Sequence, residues 1–186
     1  MVEFDTHGND LTTGVRVDLA AGLASGRGRD VVRGLESVDG TSFDDVLTGD
    51  ARANTFHPGF GDDVVRGGDG DDVMFDSIVG YWPPSGDDHY DGEEGIDTLS
   101  WVGAWEAIAA DLTTGVATGN GFETLSGIEI LVGSRYDDRL VGDEASNQLF
   151  GLDGSDELDA RGGIDHINGG TGTDVCLNGE TLAECP

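Results

Sequence analysis

Apolar residues in this chain stand singly rather than in stripes. Through most of its length one Leu, Val, Ile, Phe, Met or Tyr recurs every nine residues, between polar neighbours and after a run rich in Gly and Asp. Residues 40 to 48 read GTSFDDVLT, 49 to 57 GDARANTFH, 58 to 66 PGFGDDVVR and 67 to 75 GGDGDDVMF. After an insertion at 76–85 an incomplete unit ends at Asp91, and 92 to 100 read GEEGIDTLS. A second array runs GSRYDDRLV from 133, GDEASNQLF from 142, GLDGSDELD from 151, ARGGIDHIN from 160 and GGTGTDVCL from 169. Gly falls at positions 1, 2 or 4 of the unit, Asp or Asn at position 6, and the apolar residue at position 8.

The three residues around position 8 are too few to nucleate a helix, and one central apolar side chain suits a half-buried strand. The six before them are Gly-rich, admit φ > 0 and predict a tight turn. Turn and strand in alternation make a coil. Its core column would hold Leu47, Phe56, Val65, Met74, Tyr90 and Leu99, then Leu140, Leu149, Leu158, Ile167 and Cys176. Positions 7 and 9 would face outward, which makes His57, His89 and His166 exterior strand residues.

A longer period lies above the short one. Shifting the chain by 93 residues sets Asp18-Leu19 on Asp111-Leu112, Asp44-Asp45 on Asp137-Asp138 and Asn54 on Asn147, which marks an internal duplication. The first copy is expected over 1–100, with nonads at 40–100, and the second over 101–186, with nonads at 133–177. Each opens with a less acidic stretch, VRVDLAAGLASG or IAADLTTGVATG, expected to form a wider β-rung that starts its stack. The duplication leaves open whether the halves make one roll or two.

Repeats of this form, G-G-x-G-x-D-x-U-x with U apolar, resemble the calcium-binding nonapeptides of the RTX (hemolysin-type) family. The resemblance spans roughly residues 25 to 177. It implies an all-β fold, a right-handed parallel β-roll with turns stacked along both edges. It also implies export by bacterial type I secretion as an unfolded chain that calcium folds outside the cell.

Composition agrees with an ion-dependent fold. The 186 residues include 38 Asp and Glu against 9 Lys and Arg, a net charge of −29, with 32 Gly and only 37% apolar residues. Burial of apolar area alone is a weak counter to chain entropy here. The charge argues against nucleic acid and anionic lipid as partners, and no run of about 18 apolar residues offers a transmembrane segment. The N-terminus lacks the basic region and apolar run of a signal peptide and reads as the middle of a domain. We therefore expect a mature or excised piece of something larger.

Stacked turns would place carboxylates about 5 Å apart, repelling one another unless a cation lies between. Calcium suits them, because it takes 6–8 hard oxygen ligands in flexible geometry and the turns add backbone carbonyls. Successive nonads alternate edges, so an ion is shared by every second unit. The expected pairs are Asp45 with Asp63, Asn54 with Asp72, Asp63 with Asp88, Asp72 with Asp97, Asp138 with Asp156, Asn147 with Asp165, and Asp156 with Asp174. Carbonyl-bearing turn glycines expected beside them are Gly59, Gly61, Gly67, Gly70, Gly92, Gly95, Gly151, Gly154 and Gly163. Two further sites are conceivable, Asp30 before Asp45 and Glu123 before Asp138, for about six to eight ions in all. Departures mark weaker positions: Pro58 and Ala160 at position 1, Phe43 and Tyr136 at position 4, and Asn54 and Asn147 for Asp.

Cys176 and Cys185 bracket CLNGETLAEC, which reads as a small disulfide loop capping the last rung, with two free thiols as the alternative. Neither has zinc-ligand spacing. Tyr81-Trp82-Pro83-Pro84 lies in the insertion, and Trp101 and Trp105 open the second copy. Packing at a junction is one reading of these aromatics; contact with a ligand through Trp82 and Trp105 is the other. There is no Gly-x-Ser-x-Gly, His-Glu-x-x-His or Walker loop, and no catalytic residue is assigned. The expectation is a secreted, calcium-folded accessory or C-terminal module of a bacterial protein that is not itself an enzyme. The alternative is a module that binds extracellular polysaccharide or a cell surface.

Overall fold

The computed structural model describes residues 2–3, 13–26, 28–76 and 86–185. Among these there are strands and turns and no helix. Consecutive nonads send their strands to opposite sheets. Val46–Thr48 joins one sheet and Thr55–Gly59 the other, Val64–Asp69 returns to the first and Val73–Phe75 to the second. Neighbours within a sheet are therefore parallel and two nonads apart, with Leu47 opposite Val65 and Phe56 opposite Met74.

Alternation splits the apolar column into two that face each other. One sheet contributes Val38, Phe56, Met74, Leu99, Leu131, Leu149 and Ile167. The other contributes Val17, Leu47, Val65, Tyr90, Leu125, Ala110, Leu140 and Leu158. All are buried in one cluster, and Cys176 packs against its end. Positions 7 and 9 are more mixed than the repeat implies: Ser100, Val141 and Asp159, at position 9, are buried. His57 stacks on Phe75 with ring centroids 4.7 Å apart, one residue per coil at the same position.

Both sheets run through the two copies. In the nine-stranded sheet Thr98–Ser100 of the first copy pairs in parallel with Ile130–Val132 of the second. In the twelve-stranded sheet His89–Glu94 pairs in parallel with Phe122–Ser126. The arrangement is one parallel β-roll with open sheets.

The openings of the copies are not wider rungs. Arg16–Asp18, Leu23–Ser25 and Arg29–Val31 form an antiparallel meander, and Ala109–Asp111, Val116–Thr118 and Phe122–Ser126 repeat it. Gly22 and Gly115, at φ +69° and +65°, turn the first hairpin of each. The segments between strands are too short to cross to the opposite sheet, so the chain folds back beside itself. Cys176 and Cys185 are joined in a disulfide, with Cα atoms 6.0 Å apart.

Candidate metal centre

Two turns on the same edge, two nonads apart, meet through position 6. Each carboxylate accepts a hydrogen bond from the main-chain N–H of its predecessor. The Asp45 N–H donates to Asp63 Oδ1 at 2.7 Å, Asp63 N–H to Asp88 at 2.8 Å and Asp72 N–H to Asp97 at 2.8 Å. The Asn54 N–H donates to Asp72 at 2.6 Å and Asn147 N–H to Asp165 at 2.8 Å. The Asp138 N–H donates to Asp156 at 2.7 Å, and Asp156 N–H to Asp174 at 3.0 Å. The structure thus juxtaposes all seven pairs that the alternation of edges predicts.

The second carboxylate oxygen has a different environment. Oδ2 of Asp63, Asp72, Asp97, Asp156 and Asp165 is buried without a hydrogen-bond partner. A buried carboxylate lacking a donor or a cation is costly. At position 1 a Cβ on Gly67, Gly92 or Gly151 would run into the turn's own Oδ2 and into the carbonyl oxygen of the position-1 residue two nonads on, or for Gly92 of Gly127. At position 4 a Cβ on Gly61, Gly70, Gly95, Gly154 or Gly163 would meet the main chain of the turn before. Glycine thus leaves space lined by carboxylate and carbonyl oxygen. Gly59 at position 2 lies against the Thr41 carbonyl instead.

Burial, reinforced by neighbouring acids, raises these carboxyls above the ordinary range. Asp63 is pushed to about 9, Asp88 and Asp97 to about 7, and Asp72 and Asp156 to about 6. A site that strains its carboxylates in this way favours an entering cation. Hard oxygens of both kinds, no sulfur and irregular turn geometry match calcium among the common ions. Among the described residues no three Asp, Glu, His or Cys side chains already form a ligand cluster, so each turn draws on main-chain oxygen as well.

A profile of the RTX calcium-binding nonapeptide repeat matches four stretches, residues 39–74, 85–99, 123–158 and 150–180, more than half of the chain. The chain belongs to the RTX calcium-binding repeat family. Calcium is therefore the ion that its turns bind. Among curated proteins none matches this RTX chain.

Not every repeat of the RTX array presents the same face. Asp45 and Asp138 have protein donors on both oxygens. Val15 N–H, Thr41 N–H and the Thr41 hydroxyl serve Asp45, and Ile108 N–H, Ser134 N–H and the Ser134 hydroxyl serve Asp138. In Asn54 and Asn147 the amide oxygen accepts from Asp50 N–H and Asp143 N–H at 2.8 Å, and the buried Nδ2 stands unpartnered.

The two further positions are placed differently from expectation. Asp30 is exposed on the outer strand of the first meander, and Val15 stands next to Asp45. Glu123 lies beside Asp88, not Asp138, because the meander inserts two strands between them. Two residues that sequence reasoning passed over stand in the column on the other edge. Asp97 N–H donates to Glu129 at 2.9 Å, and Asp165 N–H to Glu180 at 2.7 Å. The signal was there: an apolar residue, Leu131 or Leu182, follows each Glu by two, as position 8 follows position 6.

The aromatics divide as well. Trp101 is wholly buried, while Trp105 is partly exposed beneath the Arg135 guanidinium, 5.4 Å from its ring centroid. Trp82 lies outside the described residues. His57 contacts Asp39 and His89 contacts Thr124 on strand exteriors, away from the turns.

Proposed function

We propose that this chain is a calcium-folded module of a secreted bacterial protein, whose work is to bind calcium and become rigid outside the cell. The observation that carries the reading is the row of buried Oδ2 atoms with no partner. Calcium ions would be held between position-6 pairs. Asp63 with Asp88, Asp72 with Asp97, and Asp156 with Asp174 supply two carboxylates each. Asn54 with Asp72 and Asn147 with Asp165 supply one and an amide. Asp45 with Asp63 and Asp138 with Asp156 have one partner already saturated by protein donors, and are the weakest. Seven ions in these places would cancel about half of the net charge of −29.

Each ion that binds only the folded chain adds about 2.7 kcal/mol at a hundredfold excess over Kd. Several together exceed the stability of an ordinary domain, roughly 5–15 kcal/mol. With affinities of about 10⁻⁴–10⁻³ M, as in extracellular modules, the chain would be unfolded in calcium-poor cytosol and folded outside. The disulfide is compatible with an oxidising exterior. We read the module as an accessory or C-terminal part of its parent, binding rather than catalysing.

The test is calcium titration of the chelated protein, followed by far-ultraviolet circular dichroism and small-angle scattering together. A cooperative coil-to-β compaction near millimolar calcium, which magnesium does not reproduce, is expected. Unchanged structure in excess chelator would overturn the reading.

A further inference from the structure

The antiparallel meanders of the two copies correspond strand for strand, but their outer strands have different surroundings. The shift that superimposes the copies sets Arg29–Val31 on residues 122–124. Phe122–Ser126 pairs in parallel with His89–Glu94 of the first copy, Tyr90 opposite Leu125 and Asp91 opposite Ser126. Arg29–Val31 is the last strand of its sheet, and among the described residues no strand lies beyond it. Val32 N–H donates inward to the Gly22 carbonyl at 3.0 Å, as Leu125 N–H donates to Gly115 at 2.9 Å. Successive N–H groups alternate in direction along a strand, so the Val31 N–H faces the open side. In the second copy the same position, Thr124 N–H, donates to the Asp88 carbonyl at 2.9 Å.

The end of the core is bare in the same place. Leu125 and Ile128 are 7% and 4% exposed, whereas their equivalents Val32 and Leu35 are only partly buried and Val31 is 67% exposed. Asp30 is exposed where Glu123 is sealed. Charge separates the two meanders further. Residues 16–33 hold four of the chain's nine basic residues against two acids, while the equivalent 109–126 hold two acids and no basic residue. Arg16, Ser25 and Arg29 stand in one row across the strands, and both arginines line a groove of about 270 Å³. Arg33 is exposed at the end of the outer strand. A strand edge with free main-chain groups is a template for an added strand.

We propose that the Arg29–Val31 edge is a docking slot for one acidic strand of another RTX roll, added in parallel as His89–Glu94 is added to Phe122–Ser126. The pairing already present sets the register. There Asp87 Oδ1 accepts from Phe122 N–H at 3.2 Å, and Asp91 Oδ1 accepts from the Ser126 hydroxyl at 2.9 Å. Transferred to the first meander, an acid at position 5 of the incoming unit meets Arg29 and an acid at position 9 meets Arg33. Position 8 of that unit covers Val32. The open strand at the other end of this chain's own sheet, Val175–Leu177, follows Thr173 at position 5 and ends in Leu177 at position 9. It lacks both acids, so the partner is a roll of different sequence rather than a second copy. The inference goes beyond calcium binding by the turns and requires only that the chain be folded.

A fluorescein-labelled peptide of residues 86–95, GDDHYDGEEG, carries both acids and is the probe. Titrated with the folded full chain in calcium, its anisotropy should rise to saturation, and the Val31 amide should exchange with solvent more slowly. Arg33→Glu sets acid against acid and should weaken binding about tenfold. Asp91→Arg in the peptide should restore binding to that variant. Arg29→Glu with Asp87→Arg in the peptide should behave alike. Both arginines are exposed, so the variants should keep the calcium-induced dichroism, read on the same samples. No saturable binding to the folded chain, or binding that the Arg33→Glu change leaves unaltered, would overturn the slot. Self-association of the calcium-loaded chain in sedimentation, abolished by Arg33→Glu, would overturn the assignment of a different roll as partner. Failure of the calcium reading gives another signature, no calcium-dependent dichroism at all.

Discussion

On one edge of the roll the acids follow each other without interruption, from Asn54 through Asp72, Asp97, Glu129, Asn147 and Asp165 to Glu180. Each is linked to the next by a main-chain hydrogen bond from position 7 to the carbonyl of position 6. On the other edge the column runs Asp45, Asp63, Asp88, Glu123, stops, and restarts at Asp138, Asp156 and Asp174. The antiparallel meanders lie on this second edge. Where a stack restarts, protein donors replace the missing turn: Thr41 and Val15 saturate Asp45, and Ser134 and Ile108 saturate Asp138. One motif therefore has two electrostatic fates. Inside a stack Asp63, Asp72, Asp97, Asp156 and Asp165 each leave an oxygen without a protein donor, Asp88 being served by the Tyr90 hydroxyl, and at the start of a stack Asp45 and Asp138 leave none.

Acidity should break the comparison most strongly. Burial raises the folded-state pKa of Asp63, Asp72, Asp88, Asp97 and Asp156 above their unfolded values, so protonation favours the folded chain. That stability is fully present below about pH 4 and is lost as pH rises through about 6, 7 and 9 in turn. Chelated protein should thus keep more β-structure and a higher melting temperature at pH 5 than at pH 8. Bound calcium needs ionised ligands, so the calcium midpoint should move the opposite way, falling as pH rises. Dichroism melts across pH, with chelator and with calcium, read both.

Single substitutions on the two edges sharpen the contrast. Asp97→Asn alters a carboxylate between Asp72 and Glu129 in the unbroken column, and should cost about 2.7 kcal/mol for one lost ion at a hundredfold excess over Kd, which the remaining ions offset when the calcium concentration for folding rises several-fold. Asp138→Asn should leave that midpoint within about twofold and instead cost about 1–3 kcal/mol through its lost donors. Equal calcium shifts in both would remove the distinction between interior and starting turns.

Reducing the disulfide frees the end of the roll where both columns finish. A loop of this length contributes about 3 kcal/mol, so the melting temperature of the calcium-loaded protein should fall on addition of reductant. Smaller and of opposite sign is Asn54→Asp. Replacing an amide whose Nδ2 is buried and unpartnered by a carboxylate should tighten that turn about tenfold, or about 1.4 kcal/mol, in calcium calorimetry. Trp105→Ala should have the least effect, costing the cation–π contact with Arg135, about 0.5–1 kcal/mol at an exposed site. Loss of polysaccharide binding in this variant, with calcium folding intact, would reassign Trp105 to ligand contact.

The departures from the repeat show where sequence reading stops. Phe43 and Tyr136 stand where position 4 should be glycine, and read as signs of weak sites. In the structure a position-4 glycine is needed where an earlier turn sets its main chain against it, as Phe43 does at Gly61 and Tyr136 at Gly154. Phe43 and Tyr136 belong to the turns that open the two stacks, so a side chain fits. Glu129 and Glu180 were passed over because Glu replaced Asp, although the apolar residue two positions on was in place. The meanders were missed because Val17 and Ala24 supply the same short apolar signal as a parallel strand.

The nine-residue period by itself determined the coil, the residues that enter the core and the partner of each position-6 acid along a run of regular units. Those features arise within a turn and the strand after it, where glycine freedom and the alternation of side chains leave few choices. Only the tertiary structure decided that the copies join in one roll, that Glu123 stacks on Asp88 rather than leading to Asp138, and that Asp76 meets Trp101 and Asn120 of the second copy. These depend on hydrogen bonds between strands some 35 residues apart, as from Thr124 N–H to the Asp88 carbonyl at 2.9 Å. The sheet a strand joins is settled by which edge lies open to it, and no local pattern encodes that choice.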